Sequence, residues 1–183
     1  FRRVLFRSGR VARVDVETGG VSSVAEGFGV PAAVKFDSRG RLHVVDTERG
    51  EIVRVDPATG TRAVLSTAVV GGDNLAFDSS DRLFVSSGLD GSIVEVLSDG
   101  STRTVSPGGV MAPGGIAVLP SGSGESVFVA DILSLKQIDG GTGEIERVWP
   151  HMIGVPGITS PFTVAADGDN LILSDRKSTR LNS

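Results

Sequence analysis

The feature that most constrains this chain is a pattern that returns at a fixed step of about 40 residues. GRVARVDVETG begins at Gly9, GEIVRVDPATG at Gly50 and GSIVEVLSDG at Gly91, at equal intervals. Val34, Leu75 and Ile116 keep the same interval, with Val164 following after a longer one. Within one period, PAAVKFDSRGRLHVVDTERGEIVRVDPATGTRAVL (31–65) reads as four short apolar runs. They are 33–36, 41–45, 51–55 and 62–65, separated by DSRG, DTERG and DPATG turns. Runs rich in Val, Ile, Leu and Phe with partial alternation, bounded by Gly, Pro, Asp and Ser, are strand signals. Four strands in a period of about 40–45 residues are the signature of a β-propeller. One such sheet cannot cover both of its own faces, so neighbouring units must stack side by side.

The expected fold class is all-β, a partial propeller of three complete four-stranded blades flanked by two half-blades. The half-blades are residues 9–27 and 161–174; the complete blades are 31–69, 71–107 and 113–155. An open arc of this kind leaves its end faces uncovered, which predicts a chain of marginal stability with a tendency to aggregate.

The two ends depart from the repeat. FRRVLFRS (1–8) can be written TTC AGA CGT GTG CTC TTC CGA TCT. Its reverse complement, read one base in, encodes DRKSTRL followed by Asn, which is the start of residues 175–183. The string resembles a common sequencing-library adapter, and both tails are expected to be translated adapter rather than native sequence. The expected native segment, 9–174, is then an interior piece of a longer protein.

The whole chain has 18 Lys and Arg against 22 Asp and Glu. The tails hold six of the basic residues and one acid, so 12 against 21 remain, a charge of −9. Nucleic-acid binding needs a basic stripe to neutralise phosphates, and the repeats offer none. No apolar run reaches bilayer-spanning length. The absence of Cys rules out thiolate zinc sites and disulfides, and suits the bacterial cytoplasm and export equally. The excess of Arg over Lys points to a GC-rich bacterial source.

PGGIAVLPSGSGESVFVAD (113–131), DNLAFDSSDRLFVSS (73–87) and PAAVKFDSRGRLHVVD (31–46) carry a family pattern. It is an inner strand Pro-x-Gly-Ile-Ala-Val followed by an apolar strand ending in Ala-Asp. The chain thereby resembles the NHL-repeat and SMP-30/gluconolactonase-like propellers, over essentially all of 9–174. These families hold both metal-dependent lactone hydrolases and scaffolds that only bind. The second strands, LHVVD, LFVSS and VFVAD, depart from the Trp-Phe-Thr-Glu type of the similar virginiamycin-lyase propellers.

Residues present in every unit point to architecture. Asp37, Asp78 and Asp167 fall in the inner hairpin turns, and Asp15, Asp56 and Asp139 in the outer ones, where Asp caps a turn with its own side chain. DGDN at 167–170 reads as a hairpin turn rather than a calcium loop. Residues that break the repeat are the candidates for chemistry. Only one blade places an acid and an amide ahead of its inner strand, at Asp73 and Asn74. Asp46, Ser87 and Asp131 close the second strands and are expected on the same face.

Oxygens converging there are what a hard cation needs, so Asp73, Asn74 and Asp131 are the metal candidates, for Ca²⁺. Asp46 and Ser87 are candidates for the substrate face. The resemblance implies a bound metal that activates water for hydrolysis of a lactone or small ester, with a Glu ligand from a blade outside this sequence. The alternative is an NHL-type scaffold binding a small molecule, peptide or glycan. His43 and His151 are far apart, and without Cys or G-x-S-x-G they support neither a triad nor a zinc site.

Overall fold

The computed structural model describes residues 9–175 except 123, 132–133 and 151–160. The expected adapter segments 1–8 and 176–183, and His151, lie outside the described residues. Among the described residues sixteen strands run in order, and all sheet neighbours are sequential and antiparallel. β1 (Arg10–Val14) and β2 (Val21–Glu26) form a two-stranded sheet. β3 (Pro31–Phe36), β4 (Leu42–Asp46), β5 (Glu51–Val55) and β6 (Arg62–Ser66) form the first complete blade. β7 (Gly72–Phe77), β8 (Leu83–Ser87), β9 (Ile93–Val96) and β10 (Thr102–Ser106) form the second. β11 (Pro113–Ser121), β12 (Gly124–Asp131), β13 (Ser134–Asp139) and β14 (Ile145–Pro150) form the third. β15 (Pro161–Asp167) and β16 (Asn170–Asp175) pair as a last two-stranded sheet. β16 thus runs one residue into the expected tail, since main-chain pairing with Pro161 needs no particular side chain.

The first strands lie side by side. β7 packs against both β3 and β11, and β11 against β15, so Val34, Leu75, Ile116 and Val164 line up around a common axis. Each sheet is covered by the next. Val45 and Ile52 of the first blade meet Leu75, Leu83 and Val85 of the second. On the other face of the second blade, Ala76 and Phe84 meet Ile116, Val127 and Val129 of the third. Ala117, Ala130 and Leu135 then meet Val164, with Trp149 packed against them.

Val34 shows what an uncovered face costs. It is 46% exposed, whereas the equivalent Leu75 and Ile116 are 0% and 1% exposed. The reason is that β1 and β2 take the outer two positions of the preceding blade, and no described strand lies inside them to cover β3.

The turn residues behave as their chemistry dictates. The Asp15 carboxylate accepts from the Glu17 and Thr18 N–H groups, Asp56 from Ala58 and Thr59, and Asp139 from Gly141 and Thr142. At the inner hairpins, Asp37 and Asp78 accept N–H groups two and four residues on and the Nε of Arg41 and Arg82. Burial pushes the Asp37 pKa up, but the hydrogen bonds from Arg41 and Arg39 outweigh it and hold the carboxyl below its usual 3.8. DGDN closes β15 to β16 as a hairpin turn, with Asp167 opposite Asn170 and Gly168 at φ 57°.

Contacts between turns bind blade to blade. Asp81 stands at φ 61° where the previous blade has Gly40 at φ 72°. An L-residue in the left-handed region is strained; here its carboxylate accepts from the Ser38 amide at 2.9 Å and hydroxyl at 2.6 Å. The outer turns lie against the outer strand of the preceding blade. A Cβ at Gly60 would stand 2.7 Å from the Val24 carbonyl oxygen, and one at Gly143 would overlap the Val105 carbonyl. No described helix is long and apolar enough to cross a membrane.

Phe84 is fully buried between two blades. Phe84→Ala should lower stability by about 3–5 kcal/mol in a urea titration, the usual cost of emptying an aromatic core site. Gly143→Ala meets both positive φ (77°) and the Val105 backbone, whereas Gly124 has no neighbour within 4 Å. Gly143→Ala should therefore cost upwards of about 1–3 kcal/mol, and Gly124→Ala should leave the urea midpoint nearly unchanged.

Candidate functional site

In each blade the chain passes up the first strand and down the second, so two kinds of turn share one end. The loops that follow second strands and those that lead into first strands meet there and form a rim. Their main chains bond to one another: Thr47 N–H to the Val30 carbonyl at 2.9 Å, and Gly88 N–H to the Gly71 carbonyl at 2.9 Å. The Thr47 hydroxyl reaches across to the Gly72 carbonyl of the next blade at 2.5 Å. The inner and outer hairpin turns lie at the opposite end.

The residues that end the second strands act as clamps on these loops. Asp46 is fully buried, and its two oxygens accept the Gly29 and Val30 N–H groups at 2.7 and 2.9 Å. Asp131 accepts from Met111 and Ala112 at 3.1 and 2.9 Å, and its other oxygen takes Lys136 Nζ at 2.6 Å. Burial pushes the Asp131 pKa up, but Lys136 and the two backbone N–H groups outweigh it, and the carboxyl stays below its usual range. Ser87 fills the same position with a hydroxyl, donating to the Val70 carbonyl at 3.4 Å and accepting from Leu89 N–H at 3.2 Å. All three side chains are spent in fixing the loop that precedes the inner strand of their own blade.

Asn74 is also committed. Its Nδ2 donates to the Gly114 carbonyl of the next blade at 3.2 Å, and its Oδ1 accepts from Leu75 N–H at 2.9 Å. Asp73 is different. In every first strand the register slips near the start, between Pro31 and Ala33, Gly72 and Asn74, Pro113 and Gly115, and Pro161 and Thr163. Such a bulge leaves one residue unpaired in the ladder and re-aims its side chain. The residues at that position are Ala32, Asp73, Gly114 and Phe162, so one blade alone puts a charge there. Asp73 is half-buried, and desolvation alone pushes its pKa up. No hydrogen bond or ion pair among the described residues offsets that burial.

A divalent cation finds little to hold here. Among the described residues no three His, Asp or Glu side chains come together as a potential ligand set. Asp131 faces an ammonium and Asn74 spends its oxygen on a backbone N–H, leaving the Asp73 carboxylate. Ca²⁺ takes about six to eight oxygens, so these residues alone do not make a calcium site.

Two features escape a reading of the residues one at a time. Lys136 pairs with Asp131 across the turn between β12 and β13, and the bulge aims Asp73; only strand register reveals either. His43 belongs to another part of the molecule. It is buried on the first blade's face toward the second, with Nδ1 3.1 Å from the Arg41 carbonyl and its ring edge-on to Phe77 at 4.9 Å. Burial pushes its pKa down, keeping the imidazole neutral at pH 7.

No protein-family model and no curated protein matches the sequence. Solved structures do match in shape. A chain in a crystal structure of a nidogen/laminin complex superposes with a TM-score of 0.72 at 18% identity, over 91% of this chain and 64% of that one. Virginiamycin B lyase from Staphylococcus aureus gives 0.69 at 15% identity, over 93% and 57%. A streptogramin B lyase gives 0.64 at 17%, over 92% and 56%. The chain thus spans 56–64% of the length of these neighbours. They are β-propellers, and at such identities the likeness is one of fold: this chain is an arc of a β-propeller.

Proposed function

We propose that this chain forms part of a β-propeller that binds a small molecule at the rim around Asp73, in the manner of an NHL-type scaffold. One observation carries this reading. A half-buried carboxylate with no partner among the described residues sits on a bulge whose counterparts in the two neighbouring complete blades are Ala32 and Gly114. Burying a charge without compensation is unfavourable, so a position that does so suggests a missing partner. A ligand bearing an amine or several hydroxyls would supply it. Asp46, Ser87 and Asp131 then serve to hold the rim loops rigid around that ligand. One structural neighbour comes from a crystal structure of a nidogen/laminin complex, so a protein is the other class of ligand to test at this rim.

A second reading keeps a gluconolactonase-like hydrolase of lactones or small esters. Two things favour it: the family pattern in 113–131, and the fact that a cation would relieve the penalty on Asp73. Bound Ca²⁺ would polarise the substrate carbonyl and acidify a water. Most of its oxygen ligands would have to come from outside the described residues.

Thermal unfolding of the chain and of Asp73→Asn, in CaCl₂ or EDTA, separates the readings. A carboxyl whose pKa is raised by folding costs stability above that pKa, and the cost vanishes below the unfolded value, about pH 4. Asp73→Asn should accordingly melt slightly higher than the parent at pH 7, with the gap closing near pH 3. Equal midpoints at pH 7 would remove the desolvated carboxylate and the rim site with it. Ca²⁺ that raises the parent midpoint and leaves Asp73→Asn unmoved supports the metal reading, because a ligand of the native state stabilises it. No calcium response leaves the scaffold reading.

A further inference from the structure

A second departure from the repeat lies at the opposite end. Strand register aligns one cross-strand row in each blade, on the face turned toward the next. In the second blade it is Ala76, Phe84, Glu95 and Arg103; in the third, Ala117, Phe128, Gln137 and Arg147. In the first it is Lys35, His43, Arg54 and Ala63.

The second blade shows what the row does when it is regular. Phe84 fills the gap to the third blade, and Glu95 pairs with Arg103 at 2.8 Å to close its outer side. In the first blade the Phe is His43, the acid is Arg54 and the closing Arg is cut back to Ala63. The result is a cleft of about 650 Å³ between the first and second blades. That size suits a small ligand, for which pockets run from about 300 to 1,000 Å³.

Four carboxylates line the cleft, and each has a partner: Asp37 takes Arg41, Asp81 takes Ser38, Glu95 takes Arg103 and Asp99 takes Ser101. Arg41 and Arg82 are held by Asp37 and Asp78, each at 2.6 Å. Arg54 is half-buried and its charge bears on His43, yet among the described residues no carboxylate lies within 4 Å of it. His43 Nδ1 faces a carbonyl and so carries the proton, leaving Nε2 as an acceptor. Nε2 stands 3.9 Å from Asp37 Oδ2, another acceptor. Phe77 and Leu65 supply an apolar floor.

We propose that this cleft binds a small oxyanion, a carboxylate or phosphate group seated on Arg54, with a hydroxyl donor placed between His43 Nε2 and Asp37. Guanidinium is the group best shaped to take such an anion through two parallel hydrogen bonds. The site is separate from the rim and independent of Asp73.

The test uses the full chain with inorganic phosphate and acetate as probes, read by the His43 ring C–H NMR signals and by thermal unfolding. Phosphate, which carries both charge and an O–H donor at pH 7, should move the His43 signals saturably and raise the midpoint. Acetate, lacking the donor, should bind more weakly. Arg54→Ala should weaken phosphate binding roughly tenfold or more. The triple variant His43→Phe, Arg54→Glu, Ala63→Arg reproduces the last three positions of the second blade's row; it should fold at least as stably as the parent, and phosphate should leave its unfolding midpoint unmoved. If phosphate leaves the parent's His43 signals unmoved, or Arg54→Ala binds as tightly as the parent, the proposal is overturned. A phosphate response undiminished in the triple variant overturns it as well.

Discussion

Each four-stranded sheet in this chain has two apolar faces, and neither can be covered from within. That constraint organises the rest of the structure. Val44, Val53 and Val55 look one way and Val45 and Ile52 the other, so the first blade requires a neighbour on both sides. The same demand recurs at the second and third blades, and the apolar clusters are all interfaces between sheets. Where a neighbour is incomplete the penalty is visible in Val34 and Phe36, 46% and 60% exposed. The polar devices at both ends follow from this stacking. Asp81 reaching Ser38, and Asn74 reaching Gly114, fix the spacing that the apolar contacts demand.

The fold was legible because its determinants are local and periodic. A constant sequence step, alternation within short runs and Asp in each hairpin turn each report on one blade at a time. Asp15, Asp56 and Asp139 cap their turns for reasons contained within a few residues of sequence. The rim was legible only as a grouping. That Asp46 and Asp131 end second strands could be read from the sequence. That their oxygens are occupied by Gly29, Val30, Met111 and Ala112 could not, because those partners are placed by the path of a loop well removed in sequence.

The bulge at Asp73 and the row through His43 share a lesson about reading repeats. Taken singly, Asp73 is one acid among many and His43 one histidine in a strand. Taken in register, each occupies a position that the other complete blades fill with a neutral residue. For His43 the signal lay in the sequence, since Phe84 follows it by one full repeat, as Gly91 follows Gly50; the replacement of Glu95 and Arg103 by Arg54 and Ala63 needed strand pairing to be seen. Departures from the repeat mark two places, at opposite ends of the strands, where the chain gives up regular packing and leaves a charge uncompensated.

The blades stand side by side about one axis, first strand against first strand. The chain contains no Cys, which makes a cross-linking measurement clean. Ser38 and Asp81 occupy adjacent inner turns, with Ser38 Oγ 2.6 Å from Asp81 Oδ2; Ser121 occupies the inner turn one blade further on. Disulfides form only between closely apposed Cβ atoms. A Ser38→Cys, Asp81→Cys pair oxidised under native conditions should close an intrachain disulfide, while Ser38→Cys, Ser121→Cys should not. Efficient intrachain closure of the second pair, or only intermolecular products from the first, would contradict the arrangement.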